Sequence, residues 1–373
     1  MEKIEKSWNV GEDRSGTIAN MKDFALLFGG PLKQMACAAP CVAAAASRIG
    51  PGPGSPSCMK LISWNLLATP YNRRNGQRES ETEWPARTQQ QIAHVAAADA
   101  DVIGLQEFWT HDERHVKMWK SFAAESGYTM HVVSRTNGKS DGCALLVRLP
   151  TSDVEFTAYH FDDWGSRILQ VAELSLAGEH LTLMNTHLTF PHDNPHDLPM
   201  RRQQARKISE LTRLRNGPLC VFGDLNGNLC ALADPLRPHS ILRLTRQSSI
   251  RRCLVVSCCD REDPAVSVLT SFGGLRAPPI PLHMDGTGPE CDWASHVAHT
   301  GSLMACDLVL TRGACRIAEW KLAGTKDELV SGELPSDHRA VHATLLLGQA
   351  ASDTLAAQDR DDVDEAEQLV AMH

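Results

Sequence analysis

None of the twelve cysteines forms a Cys-x-x-Cys pair; only Cys258 and Cys259 are adjacent, and the rest stand singly. This argues against a zinc-ribbon site and against the dense disulfide framework of small secreted domains. The reading is of reduced thiols in a cytoplasmic protein, with a nuclear or organellar placement left open. Basic excess is also missing. The formal net charge is −8, and the stretch from Ala350 onward carries −6 of it, with seven acidic residues against Arg360. A polyanion binder held by bulk electrostatics is usually basic, so any such substrate must be gripped by a local patch or by a bound cation. No apolar run reaches the roughly 18 residues of a spanning helix. The opening residues lack the basic-then-apolar order of a signal peptide, although a short Ala/Cys run follows Met35. The expectation is therefore a monomer without stable membrane association; no feature names a protein partner.

Apolar sequence is ample: 42 % of the 373 residues are aliphatic, aromatic or cysteine, which excludes disorder throughout. Residues 1–57 show weak periodicity and end in Gly50-Pro51-Gly52-Pro53-Gly54-Ser55-Pro56. They read as a disordered extension closed by a Pro/Gly linker. Residues 58–348 read as one catalytic domain, and 349–373 as an acidic disordered tail. Within the domain, short apolar runs recur near 59–64, 101–105, 128–134, 143–148, 154–160, 167–176, 180–186, 218–222, 305–311, 316–320 and 340–346. Helical spacing is confined to about 84–98 and 198–214. Residues 229–300 are the least legible and read as long loops. The pattern predicts an α+β chain, a four-layer sandwich of two packed, mainly antiparallel sheets flanked by helices, rather than a doubly wound parallel sheet.

Polar residues stand just beyond several of these runs: Asn65, Glu107, His187, Asp224 with Asn226, Asp307, and Asp337-His338. A single Asn or Asp at a strand end is ordinarily a turn former or cap. Six such groups in order are a different matter. Trp64-Asn65, Leu105-Gln106-Glu107, Asn185-Thr186-His187-Leu188, Gly223-Asp224-Leu225-Asn226, the late Asp307 and Ser336-Asp337-His338 resemble the signature of the endonuclease/exonuclease/phosphatase superfamily. The resemblance covers about residues 58–347. Within it, ARTQQQI (86–92), GYTMHVVSRTNGKSDGCAL (127–145), FDDWGSR (161–167), NTHLTFPHDN (185–194) and WASHVAHTGSLMACDLVL (293–310) are similar to the carbon catabolite repressor-type deadenylases. They are closer still to a plant and algal deadenylase-like group that bears an appended EF-hand. The chain departs from the family in two places. Leu66-Leu67 follows Asn65 without the Asp that apurinic endonucleases carry nearby. Asp359-Arg360-Asp361-Asp362-Val363-Asp364 lacks the third ligand and the loop glycine of a calcium loop.

The resemblance implies a metal-dependent hydrolase of phosphate esters, and the chemistry asks for a cation, a base and a stabiliser of the transition state. Glu107 is the implied principal ligand of Mg²⁺, with Mn²⁺ as a substitute, since hard cations take carboxylate oxygen. Asn65 would position Glu107 or hold the metal-bound phosphate, and Asp337 would serve a second metal or its water shell. Asp224 is the implied base, with Asn226 orienting it or donating a hydrogen bond to a non-bridging phosphate oxygen. Asp307 would pair with His338, fixing its tautomer and raising its pKa, and His187 is a second donor. Arg167 and His192 are candidate substrate contacts. The implied activity is 3′–5′ exonucleolysis of poly(A) or other RNA. A phosphatase or phosphodiesterase acting on an inositol phosphate or a sphingomyelin-like lipid, and a DNA endonuclease, remain the alternatives.

Overall fold

Side chains alternate across a strand, so a strand between two layers can serve two clusters at once. In β10 (Leu219–Asp224), Leu219 and Val221 enter an outer cluster with helical residues, while Cys220 and Phe222 enter the cluster between the sheets. In β4 (Val102–Trp109), Val102 faces inward, and Ile103 and Leu105 face the helices. The computed structural model describes residues 57–74, 77–148, 154–176, 179–190, 192, 194–227, 264–277, 294–299, 301 and 303–348. The expected N-terminal extension before residue 57, the acidic tail, the departed calcium loop and much of 229–300 lie outside the described residues.

Two sheets face each other, as the apolar pattern predicts. The six-stranded sheet runs β14-β15-β1-β4-β6-β5. Its strands are β1 (Ser57–Asn65), β4, β5 (Thr129–Ser134), β6 (Asp141–Val147), β14 (Cys315–Leu322) and β15 (Val341–Leu347). The five-stranded sheet runs β13-β10-β9-β8-β7, from β7 (Val154–His160), β8 (Ile168–Leu176), β9 (Glu179–His187), β10 and β13 (Asp307–Arg312). Each contains one parallel pair, β1 with β4 and β9 with β10; the other pairs are antiparallel. Parallel neighbours need a crossover, and helices α1 (Glu83–Ala98) and α3 (Asp197–Arg213) supply one for each sheet. Short ribbons β2 (Arg73–Arg74) with β3 (Gln77–Arg78), and β11 (His296–Val297) with β12 (Leu303–Met304), complete the strands.

Helix α2 (Glu113–Glu125) covers the outer face of the six-stranded sheet beside α1 through Trp119 and Phe122. Its Val116, Trp119, Phe122 and Ala123 recur at helical spacing, and it adds a helix to the two expected from the sequence. Helix α4 (Pro264–Ser267), with the π-helical turn Val268–Phe272, gives Ala265, Val266 and Leu269 to the other outer cluster. A last helix, α5 (Lys326–Ser331), begins with a Thr325/Glu328 capping box. The inter-sheet layer holds Leu61, Leu145, Leu183, Leu345 and Phe222 at 1 % exposure or less, each such side chain contributing about 1.5–3 kcal/mol. Gly104 lets Phe222 cross this layer, since a Cβ there would lie 2.2 Å from the ring. Close by, buried amides link the sheets: Gln106 Nε2 donates to Asn185 Oδ1 at 2.8 Å, and Asn185 Nδ2 to Gln170 Oε1 at 2.9 Å. A paired amide chain of this kind penalises any slip of one sheet along the other.

Candidate active site

The parallel pairs bring their carboxyl ends to one edge, where crevices form in sheets of this kind. His187 ends β9, Asp224 ends β10 and Asp307 begins β13. Asp224 is the register partner of both, so three functional side chains stand abreast on neighbouring strands. Gly223 permits the approach: its φ is +139°, and a Cβ would sit 1.9 Å from Thr186 O. From the other sheet come Asn65, at the end of β1, and Glu107. The β4–β6 register shifts between Leu105 and Phe108, and Glu107 adopts φ +47° there. A left-handed residue at such a break turns its side chain off the sheet plane.

Every oxygen of Asp224 is engaged. Asn65 Nδ2 donates to Oδ2 at 3.0 Å, and the backbone N–H of Asn226 donates to Oδ1 at 2.9 Å. His187 Nε2 lies 3.4 Å and His338 Nε2 3.8 Å from Oδ2. Burial, and then the nearby Asp307, push the Asp224 carboxyl above the usual carboxylate range. The tautomer of His187 follows from its partner: the Arg167 guanidinium, which can only donate, lies 2.9 Å from Nδ1. The ring proton therefore sits on Nε2, facing Asp224, and burial and the Arg167 charge keep this histidine neutral. For His338, burial alone would lower the pKa. The Asp307 carboxylate, 2.8 Å from Nδ1, overcomes this, with Asp224 and Asp337 adding to it, and holds the imidazolium up to about 10.

Glu107 lies in different surroundings. Its Oε2 accepts from the Ala68 backbone at 3.1 Å, and its charged neighbours include Asp141 and Asp337. Burial, followed by those two carboxylates, raises its pKa to about 7. Burial raises Asp337 as well. Asp337 Oδ1 is buried with no hydrogen-bond partner among the described residues, and so is Asp307 Oδ1. Crowded carboxylates with an orphaned oxygen are the donor set a hard divalent cation takes, so Glu107 and Asp337 fit one. The ligand-type atoms of Asp224, Cys306, Asp307 and His338 also lie within 4.8 Å of one another. That group differs, because its acids and imidazole already bond each other and burial holds the Cys306 thiol well above its ordinary value.

An outer layer fixes both loops. Gln91 Nε2 donates to Leu66 O and to Pro335 O, both at 2.8 Å, and Arg87 Nη1 donates to the same carbonyls at 2.7 and 3.3 Å. These residues of the 86–92 segment clamp the turn after Asn65 to the turn that leads into Asp337 and His338. Ser336 Oγ donates to Asn65 O at 2.7 Å and accepts from His338 N at 3.1 Å.

Asn65, Glu107, Arg167, His187, Asp224, Asn226, Asp307, Asp337 and His338 thus gather at one edge. Asn226, at φ +48°, spends its side-chain Nδ2 on Leu188 O at 2.9 Å and reaches Asp224 through its backbone. His192 is joined to this edge only through other rings: its Nδ1 lies 3.1 Å from Asp197 Oδ2, the side chain is 60 % exposed, and its ring lies 4.9 Å from that of Phe190, which is 6.4 Å from that of His296. Two contributors went unassigned in the sequence. The His296 ring stacks on His338 with centroids 4.0 Å apart and 19° between planes. It lies within the shared 293–310 segment, but only the bridge between β11 and the 336–338 turn brings the rings together. Asp141, wholly buried, is bound by Arg135 at 2.9 and 3.0 Å and by Tyr71 Oη at 2.7 Å. Its signal was a carboxylate heading the apolar run 142–147.

Two facing sheets that gather a paired Asp/His, a held aspartate and a carboxylate cluster at one edge define a phosphate-ester hydrolase. The family description "Endonuclease/Exonuclease/phosphatase family" matches residues 62–338, and the chain belongs to that family. An uncharacterized calcium-binding protein of Arabidopsis thaliana is 31 % identical over 199 residues, 46 % of this chain and 40 % of the relative, so the chain spans less than half of that protein. Among solved structures, ANGEL2, a 2′,3′-cyclic phosphatase, is similar with TM-score 0.55, 17 % identity, and coverage of 78 % of this chain and 96 % of its own. The catalytic domain of human Nocturnin gives TM-score 0.52 and 15 % identity, covering 78 % and 94 %. At these identities the two structures speak for the fold.

Proposed function

We propose that the protein is a Mg²⁺-dependent phosphodiesterase that removes nucleotides from the 3′ end of RNA, poly(A) first among its substrates. The observation that carries the hydrolytic part is Asp224, held at both oxygens and flanked by two imidazoles of opposite character. The RNA part rests on the segments shared with the carbon catabolite repressor-type deadenylases.

In this reading Asp224 aligns a water against phosphorus and takes its proton; a raised pKa makes it a stronger base than an ordinary carboxylate. Asn65 and the Asn226 backbone keep its lone pairs aimed. His338, charged at neutral pH, points Nε2–H at a non-bridging oxygen, and Asp307 fixes its orientation. His187 donates from Nε2, with Arg167 behind it. Preformed donors of this kind act where charge develops in the transition state. Glu107 would hold the cation with Asp337 close by, and when bound the cation neutralises charge on the phosphate and the leaving oxygen. Asn65 serves chiefly to orient Asp224, because its Oδ1 accepts from Leu67 N at 3.0 Å while Nδ2 donates to Asp224.

The test is a substrate panel run with Mg²⁺ and with EDTA. A 3′-poly(A) RNA should shorten stepwise in Mg²⁺ and stay intact in EDTA. Intact RNA together with hydrolysis of an inositol phosphate, a cyclic phosphate or a DNA strand would replace this reading with another.

A further inference from the structure

Trp64, Trp84 and Trp119 are 2 % exposed or less, as expected for the largest apolar side chain, yet Trp164 stands 57 % exposed. Its loop is not loose. Ser166 N donates to Asp163 O at 3.0 Å, and Gln204 Nε2 to Asp163 Oδ2 at 2.7 Å. Asn137 Nδ2 donates to Ser166 Oγ at 2.7 Å, and Arg135 Nη2 to Gly165 O at 2.5 Å. Asp162 and Ser166 both take left-handed backbone, φ +56° and +53°, a conformation that persists only where the surroundings enforce it. The fold therefore spends hydrogen bonds and backbone strain on presenting an indole to solvent.

The place of that indole points to its use. Three residues on, Arg167 donates to His187 beside Asp224, so at most roughly 10 Å separates the Trp164 backbone from that of the arginine behind the phosphate-facing row. The same wall carries a second ring: Tyr71, 41 % exposed, donates to Asp141, whose partner Arg135 holds the Gly165 carbonyl.

We propose that Trp164 is a stacking platform for a nucleobase of a single-stranded substrate whose scissile phosphate lies at Asp224, with Tyr71 on the same wall. The position of the phosphate rests on the phosphodiesterase reading above. A fixed aromatic ring binds the face of any base at little entropic cost. A lipid surface fits the loop poorly. Asp162 and Asp163 flank the indole, whereas membrane-seeking segments set apolar residues beside cationic ones. The other exposed large apolar residues among the described ones, Leu214, Phe272 and Val330, belong to other parts of the chain. The acidic flank also disfavours phosphate there, so the base rather than the backbone lies over the ring.

The test uses the full chain and two oligoribonucleotides that differ only in an abasic 3′-terminal residue. Wild type should prefer the base-bearing strand by about 5- to 150-fold in kcat/KM. Trp164→Ala should collapse that ratio toward one, Trp164→Phe should retain most of it, and Phe272→Ala should leave it unchanged. An undiminished ratio in Trp164→Ala overturns the proposal. If wild type cleaves neither strand, the phosphodiesterase reading on RNA fails, and fluorescence anisotropy of a labelled single strand then decides the stacking. Affinity lost in Trp164→Ala and kept in Trp164→Phe supports the platform. Equal affinity in all three proteins overturns it, as does Trp164-dependent binding to phosphatidylserine vesicles with strand affinity unchanged.

Discussion

The two halves of the site are built on opposite principles. On the side of the five-stranded sheet, His187, Asp224 and Asp307, with His338 facing them, answer one another: each acid has a donor, and each imidazole a partner that fixes its proton. On the side of the six-stranded sheet, Glu107 faces Asp141 and Asp337, and Asp337 Oδ1 has no donor among the described residues. The first half is nearly complete as folded protein, with Asp307 Oδ1 left without a donor among the described residues. The second sets Glu107 against Asp337 and against an Asp141 already paired with Arg135, and the remaining like-charge cost falls when a cation enters.

The largest expected effect separates chemistry from stability in the first half. Asp224→Asn should lower kcat by roughly 10³- to 10⁴-fold, the range for loss of a general base and its aligned water. Its melting temperature should stay within a few degrees of wild type or rise, because the isosteric amide removes a buried charge whose pKa burial has raised. A kcat within tenfold of wild type would show that another group is the base.

Glu107→Gln should cost less in rate, roughly 10²- to 10³-fold, and should stabilise the metal-free protein in a pH-dependent way. Folded without metal, Glu107 keeps its proton up to about pH 7, against 4.5 for the ordinary group. Between those values the folded protein binds the extra proton, so stability falls as pH rises, and the full cost is present above about 7. Metal-free Glu107→Gln should therefore melt above metal-free wild type at pH 8, by on the order of 2–3 kcal/mol, and coincide with it near pH 4.5. Adding Mg²⁺ should stabilise wild type and not the variant. Melting curves at the two pH values, with and without the cation, measure this. Coincident curves at pH 8 would mean the carboxylates do not oppose one another.

The smallest effect concerns the seam between the halves. Gln91→Leu removes one of the two donors on Leu66 O and on Pro335 O, Arg87 remaining on both, and should cost about 0.5–1.5 kcal/mol in stability. Because the clamp sets the distance from Glu107 to His338, kcat should fall roughly 10- to 100-fold with KM little changed. An unchanged kcat in a destabilised protein would make the clamp structural only.

Much of this was legible in the chain itself. The recurrent short apolar runs, with helical spacing confined to two stretches, predicted the two sheets. Asn65, Glu107, His187, Asp224 and Asp307 stood out because each adjoins a run that had to be a strand. Helix α2 was not among the expected elements, although Val116, Trp119, Phe122 and Ala123 recur in it at helical spacing; Asp141 resembles any turn carboxylate until Arg135 and Tyr71 are seen on it. His296 resembles any histidine until the bridge to His338 sets the two rings face to face.

What the sequence determined alone was the set of reacting groups and the strands that carry them, since side-chain chemistry and apolar period are local properties. Which carboxylate acts as base and which waits for a cation was decided by tertiary structure. Asp224 meets Asn65 across 159 residues and His338 meets Asp307 across 31. Strand register and burial, neither of them local, set the donors, the protons and the charges of these otherwise ordinary side chains.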